Sequence, residues 1–145
     1  MSTAAVLAFT AGIAGAVQVA VMGRFGERVG AIEALAFSLL LSTLVATVAM
    51  VAFRGSLAGI GEALRAPKWL WVGALMGAFI VLTITIAAPK IGIVAVTALL
   101  IAGQLGTAVA IDRYGVFGVD RIGLAWPRVA GIALLVLGAA LTLKR

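Results

Sequence analysis

Two carboxamides, Gln18 and Gln104, are the polar side chains of this 145-residue sequence set deepest in apolar surroundings. In hydrocarbon, an unpartnered carboxamide costs on the order of 4–8 kcal/mol against an alkane reference, so each must face a partner or a wet cavity. Thr97, Gln104 and Thr107 fall on one helical face by spacings of seven and three. Ser38 and Ser42 stand four apart in a small-residue stripe with Ala34 and Ala46. Trp71 and Phe79 could form an aromatic wall that accepts a cation, although such residues more often serve packing or the membrane interface. A mostly apolar lining with a few amides and hydroxyls suits the holding and passing of small amphiphilic or weakly polar solutes. It does not suit bond-making. The sequence has no Cys and no His, which removes thiolate nucleophiles, disulfides, zinc sites and imidazole catalysis. No enzyme activity, cofactor or metal is expected.

The remaining polar residues have competing readings. Glu33 is a candidate for coupling to a proton, because a carboxylate inside a membrane is functional by default. As the third residue of its span it also suits a helix N-terminus, where the dipole favours an anion, and that reading is preferred. Asp112 and Arg128 end one span and open the next on the same side, which expects an interfacial ion pair. Gly15, the Gly73–Gly77 pair and Gly103 are expected to pack helices closely. The two amides either line a cavity or join helices, a bond worth typically ~0.6 kcal/mol. Both readings stay open.

Composition fixes the solvent. Apolar residues excluding glycine make up 64%, glycine adds 18 residues, and charged residues are 11% against roughly 25% in a soluble domain. So few charges cannot cover a soluble fold of this size. The chain is expected to be an all-α integral membrane protein, a single domain over residues 1–145. Five spans are expected at about 3–22, 31–53, 69–88, 91–111 and 126–143. The connections are read as 23–30, a longer 54–68 with a short interfacial helix in GIGEALRA, a tight turn at Pro89 and Lys90, and 112–125. Pro127 suits the first turn of the last helix. The first run lacks a basic n-region and a cleavage zone, so an uncleaved span is expected. The net charge of +6 is spread singly between apolar runs, which fits lipid headgroups and not nucleic acid.

The distribution of those cations sets an architecture. Five spans place Arg54, Arg65, Lys68, Arg113, Arg121 and Arg128 on the N-terminal side and Arg24, Arg28, Lys90, Lys144 and Arg145 on the other. Orientation follows an excess of Lys and Arg on one side, and six against five is almost none. Either one strong segment fixes the orientation, or copies insert both ways and pair antiparallel. The second reading is preferred. It also gives both faces an aromatic belt, since Trp69, Trp71, Trp126 and Tyr114 all lie near one side. In depth, Gln18 lies ~7.5 Å from its span centre and Gln104 ~4.5 Å from its own in the opposite direction, ~12 Å apart within one chain. In an inverted copy, Gln104 comes within ~3 Å of the depth of Gln18.

The second half of the chain resembles the YdcZ-type family of the drug/metabolite transporter superfamily. The resemblance rests on Pro89 and Gly92, the Ala102–Gly103–Gln104 run, Asp112 and Gly115, and Arg128 with Gly131. The first half fits through Gly15, Gln18, Arg24 and Gly26, and the third span through Trp69, Gly73 and Gly77. Met22 stands where the family usually has Asn, and Ser42 where it usually has Gly. The resemblance implies a bacterial inner-membrane exporter of small molecules, related to the small multidrug transporters that pair antiparallel. It implies no particular substrate.

The expectation is a transporter subunit that alternates access as a dual-topology antiparallel homodimer, with itself and membrane lipids as partners. A half-transporter that needs a different partner chain, or an accessory structural subunit, is the alternative. A channel would need a continuous polar stripe, and no span has one.

Overall fold

The computed structural model describes residues 2–123 and 125–143, without the side chain of Arg128. Among the described residues the ordered elements are all helical. Helix α1 covers Thr3–Val29, α2 Ala31–Arg54, α3 Ala58–Arg65, α4 Val72–Ile91, α5 Ile93–Tyr114 and α6 Trp126–Thr142. Single 3-10 turns, Lys68–Trp71 and Val116–Gly118, precede α4 and follow α5. Four segments are long and apolar enough to cross a bilayer: Thr3–Val29, Ala31–Arg54, Lys68–Ile91 and Ile93–Tyr114. With 17 residues, α6 is shorter, ~26 Å at 1.5 Å per residue against a core of ~30 Å. Its proline lies in the first turn, where a missing N–H costs nothing.

Two expected connections are corrected. The segment from Gly23 to Val29 is helix, not loop. Arg24, Glu27 and Arg28 end the apolar run, but they are good helix formers, and Arg24 Nη1 sits 3.2 Å from Glu27 Oε2. The turn expected at Pro89 and Lys90 is likewise inside α4. Pro89 lies two residues from the helix end, so its missing N–H deprives the Thr85 carbonyl alone.

What breaks the chain instead is one glycine at each place. Gly30 (φ 103°, ψ 147°) joins α1 to α2, and Gly92 (φ 88°, ψ 156°) joins α4 to α5. Both conformations are essentially closed to residues with a Cβ. The Gly30 N–H donates to the Gly26 carbonyl at 3.0 Å, and its own carbonyl accepts from Ala34 N–H at 3.0 Å. One glycine thus closes one ladder and opens the next. Phe25 and Phe37 would be ~18 Å apart along a continuous helix, yet their rings meet edge to face at 5.6 Å, so the chain doubles back at Gly30. At their far ends α2 and α5 stop at left-handed Gly55 and Gly115, whose N–H groups donate to the Val51 and Ile111 carbonyls at 2.9 and 2.8 Å.

The chain packs as two compact units, Met1–Val19 with Lys90–Arg145, and Ala20–Pro89. In the second, small residues bring α1 against α4. A Cβ on Gly23 would lie 2.9 Å from the Ala88 Cβ, and one on Gly26 would overlap the Thr85 methyl. Ile84 and Thr85 are both 2% exposed there. In the first unit α5 and α6 pack side by side. A groove of about 340 Å³ runs between Leu105, Ala108, Val109 and Asp112 on α5 and Gly131, Ile132 and Leu135 on α6.

Candidate functional site

Each long helix is buried beside its linker glycine and exposed toward its other end. The buried residues are Val19, Met22 and Gly23 on α1, Ala34 on α2, Ile84, Thr85 and Ala88 on α4, and Ala95 and Val96 on α5. Large apolar side chains cover the exposed halves, among them Phe9, Leu40, Leu44 and Phe79, each 60% exposed or more. In water that surface would collapse, so its neighbours are lipid or another polypeptide.

The polar residues within the spans divide by hydrogen bonding. The hydroxyls of Thr10, Thr43, Thr47, Thr83, Thr85 and Thr142 each donate to a carbonyl three or four residues back, at 2.7–3.1 Å. Those groups are satisfied within their own helix. Gln18, Ser38, Ser42, Thr97, Gln104 and Thr107 have no hydrogen-bond partner among the described residues. Gln18, Ser42, Gln104 and Thr107 are exposed, Ser38 is half-buried, and the Thr97 Oγ1 is buried yet unbonded. On α5, Thr97, Gln104 and Thr107 span an arc of ~80°. On α2, Ser42 lines a groove of about 420 Å³ with Leu41, Val45, Ala46 and Ala49. An unpaired buried or lipid-facing polar group costs ~1–3 kcal/mol by protein mutational data, so a face that carries several needs water, solute or another chain against it.

The other expected residues lie as follows. Phe79 is exposed on α4, and Trp71 belongs to the 3-10 turn before α4. The Trp71 indole N–H donates to the Ala63 carbonyl at 3.3 Å, which ties this turn to α3. Glu33 is exposed in the first turn of α2, and its carboxylate folds over the Cα of Gly30. Asp112 is half-buried at the end of the α5–α6 groove, where its carbonyl accepts from Ile122 N–H at 2.9 Å. The Arg128 side chain, the other half of the expected ion pair, lies outside the described residues, as do Lys144 and Arg145. Gly15, Gly73, Gly77 and Gly103 have nothing within 4 Å of a built Cβ. Gly23 and Gly26 make the close approach, and the spacing of three between them was the available signal.

Residues 3–141 match the family described as "Putative inner membrane exporter, YdcZ". The protein named "Inner membrane protein YdcZ" of Escherichia coli (strain K12) is 32% identical over 113 residues, 74% of each chain. No solved structure matches. The description of the family is that of membrane exporters. From match and spans together, the chain belongs to the YdcZ family of inner membrane exporters and is a multi-pass inner membrane protein.

Proposed function

We propose that this chain is one half of an antiparallel, dual-topology homodimer that exports small amphiphilic or weakly polar molecules by alternating access. The carrying observation is the division of the polar residues in the spans. Six threonines bond to their own helices, while the side chains of Gln18, Ser38, Ser42, Thr97, Gln104 and Thr107 reach no hydrogen-bond partner among the described residues. A second copy and the aqueous path between two copies would supply what those groups lack. Near-equal cations at the two faces support insertion in both orientations. An inverted pair gives the two-fold relation through which many transporters alternate.

In this reading Gln104 lines the solute path, with Thr97 and Thr107 on its face and Gln18 at matching depth on the opposed copy. Phe79 adds aromatic surface. Gly15, Gly73, Gly77 and Gly103, open among the described residues, meet the partner's helices. Asp112 and Arg128 pair at the membrane surface. Glu33 stays at the interface beside the N-terminus of α2.

The test is Gln104→Ala in proteoliposomes, read against a panel of fluorescent amphiphiles screened first with the unmodified chain. The variant is expected to lose at least ~90% of the transport rate, as removal of a ~1.4 kcal/mol interaction from the solute path would produce. Dimer cross-linking should be unchanged. Transport at the unmodified rate would overturn the cavity assignment.

A further inference from the structure

We infer that the connection between α2 and α4, with α3 at its centre, is a binding surface for anionic phospholipid. The first ground is where the connection begins and ends. Ala31–Arg54 and Lys68–Ile91 are each long and apolar enough to cross a bilayer, so α3, between them, starts and finishes at one membrane surface. It is also held at both ends. A Cβ on Gly59 would lie 3.8 Å from the Met50 Sδ of α2, and the Trp71 indole N–H, just before α4, donates to the Ala63 carbonyl at 3.3 Å. All of these residues belong to one compact unit, Ala20–Pro89.

The second ground is the division of α3 into sides. At ~100° per residue, Leu57, Ile60 and Leu64 fall within an arc of ~60°. Glu62 and Arg65 lie ~150° around from Ile60 and Leu64, and Gly59 lies between the two groups, toward α2. Leu57, Ile60 and Leu64 are 45–66% exposed, so the chain leaves the apolar side open. One side thus meets protein, one is apolar and one is charged, which is the division of a helix lying in the plane of the interface.

The third ground is charge. The connection and its two ends carry Arg54, Arg65 and Lys68 against Glu62 alone, all exposed and none in an ion pair among the described residues. Cations beside an open apolar stripe suit a ligand with an anionic head and an apolar tail. A nucleic acid or an acidic peptide would meet the charges and leave Leu57, Ile60 and Leu64 in water. Each Lys or Arg held near the surface favours an anionic headgroup by about 5-fold. Trp69, exposed at the same end, adds an indole at headgroup level. The inference concerns the lipid beside each copy and holds whichever way copies insert.

The chain has no cysteine, so a single replacement carries a fluorophore without background. Leu64→Cys and Glu62→Cys, ~160° apart on α3, are each labelled and placed in phosphatidylcholine nanodiscs, where both membrane faces are open to solvent. A minority of the lipid is phosphatidylglycerol or phosphatidylcholine with brominated chains. The label at 64 should be quenched by the brominated chains and the label at 62 by aqueous iodide. At 64, brominated phosphatidylglycerol should be preferred over brominated phosphatidylcholine at least ~5-fold. Arg65→Gln with Lys68→Gln leaves Arg54 balanced by Glu62 and should reduce that preference below ~2-fold. Iodide quenching at both positions would place α3 in water and overturn the inference. A label at 64 shielded from both quenchers would mean a polypeptide covers the apolar side, which overturns it equally. Quenching at 64 by both lipids alike would overturn the selection of anionic headgroups.

Discussion

Gly26→Ala should change sign with the residue it faces. The added Cβ would overlap the Thr85 methyl, and Thr85, 2% exposed, has nowhere to move. Such overpacking costs typically ~1–3 kcal/mol. Alanine over glycine inside a helix returns about 1 kcal/mol, which leaves a net loss of ~0–2 kcal/mol. Thr85→Ser deletes the offending methyl and keeps the hydroxyl, which donates to the Val81 carbonyl at 2.7 Å. In that background Gly26→Ala meets open space and should stabilise by up to ~1 kcal/mol. The two changes should therefore couple by ~1–3 kcal/mol, within the range seen for residues in contact. The assay is unfolding in mixed micelles titrated with sodium dodecyl sulfate, followed by far-ultraviolet circular dichroism for the four members of the cycle. Gly26→Ala with one and the same effect in both backgrounds, to within ~0.3 kcal/mol, would refute close packing of α1 on α4.

Other outcomes follow from the same geometry. Gly30→Ala and Gly92→Ala should each lose ~1–3 kcal/mol in that titration, because their positive φ strains any side chain, whereas Gly12→Ala, inside α1 and with no described atom within 4 Å of the added methyl, should gain up to ~1 kcal/mol. Arg24→Ala should move stability by less than ~1 kcal/mol, since its pair with Glu27 is 87% and 46% exposed. Trp71→Phe should remove ~0.5–1.5 kcal/mol from the α3 connection, visible as faster proteolysis between Arg65 and Lys68.

The apolar runs were legible because lipid enforces a length, and the helices begin within two or three residues of the expected limits. The short helix α3 and the proline at the head of α6 were legible from composition and from the missing N–H. The helical end of α1 was not, because charge marks where a chain leaves hydrocarbon and says nothing about where helix stops. Pro89 misled for a related reason: near a helix end it removes one bond, and the break falls to Gly92, whose φ of 88° no neighbouring residue could adopt. Among 18 glycines, composition could not separate Gly23 and Gly26, which approach α4, from Gly73 and Gly77, where an added Cβ would meet nothing within 4 Å among the described residues. The six polar candidates were legible as residues. Their lack of partners needed coordinates, because threonines at 43 and 47 look alike in sequence to those at 97 and 107 until the bonds are traced.

The antiparallel pair is tested most directly by the orientation of single chains in cells. Ser56→Cys, in the exposed connection between α2 and α3, can be labelled in intact spheroplasts with an impermeant maleimide, before and after permeabilisation. Two insertion modes predict that about half of the molecules react before permeabilisation and the remainder only after it. Reaction of all the molecules in one of the two steps would contradict dual insertion and, with it, the homodimer proposed here.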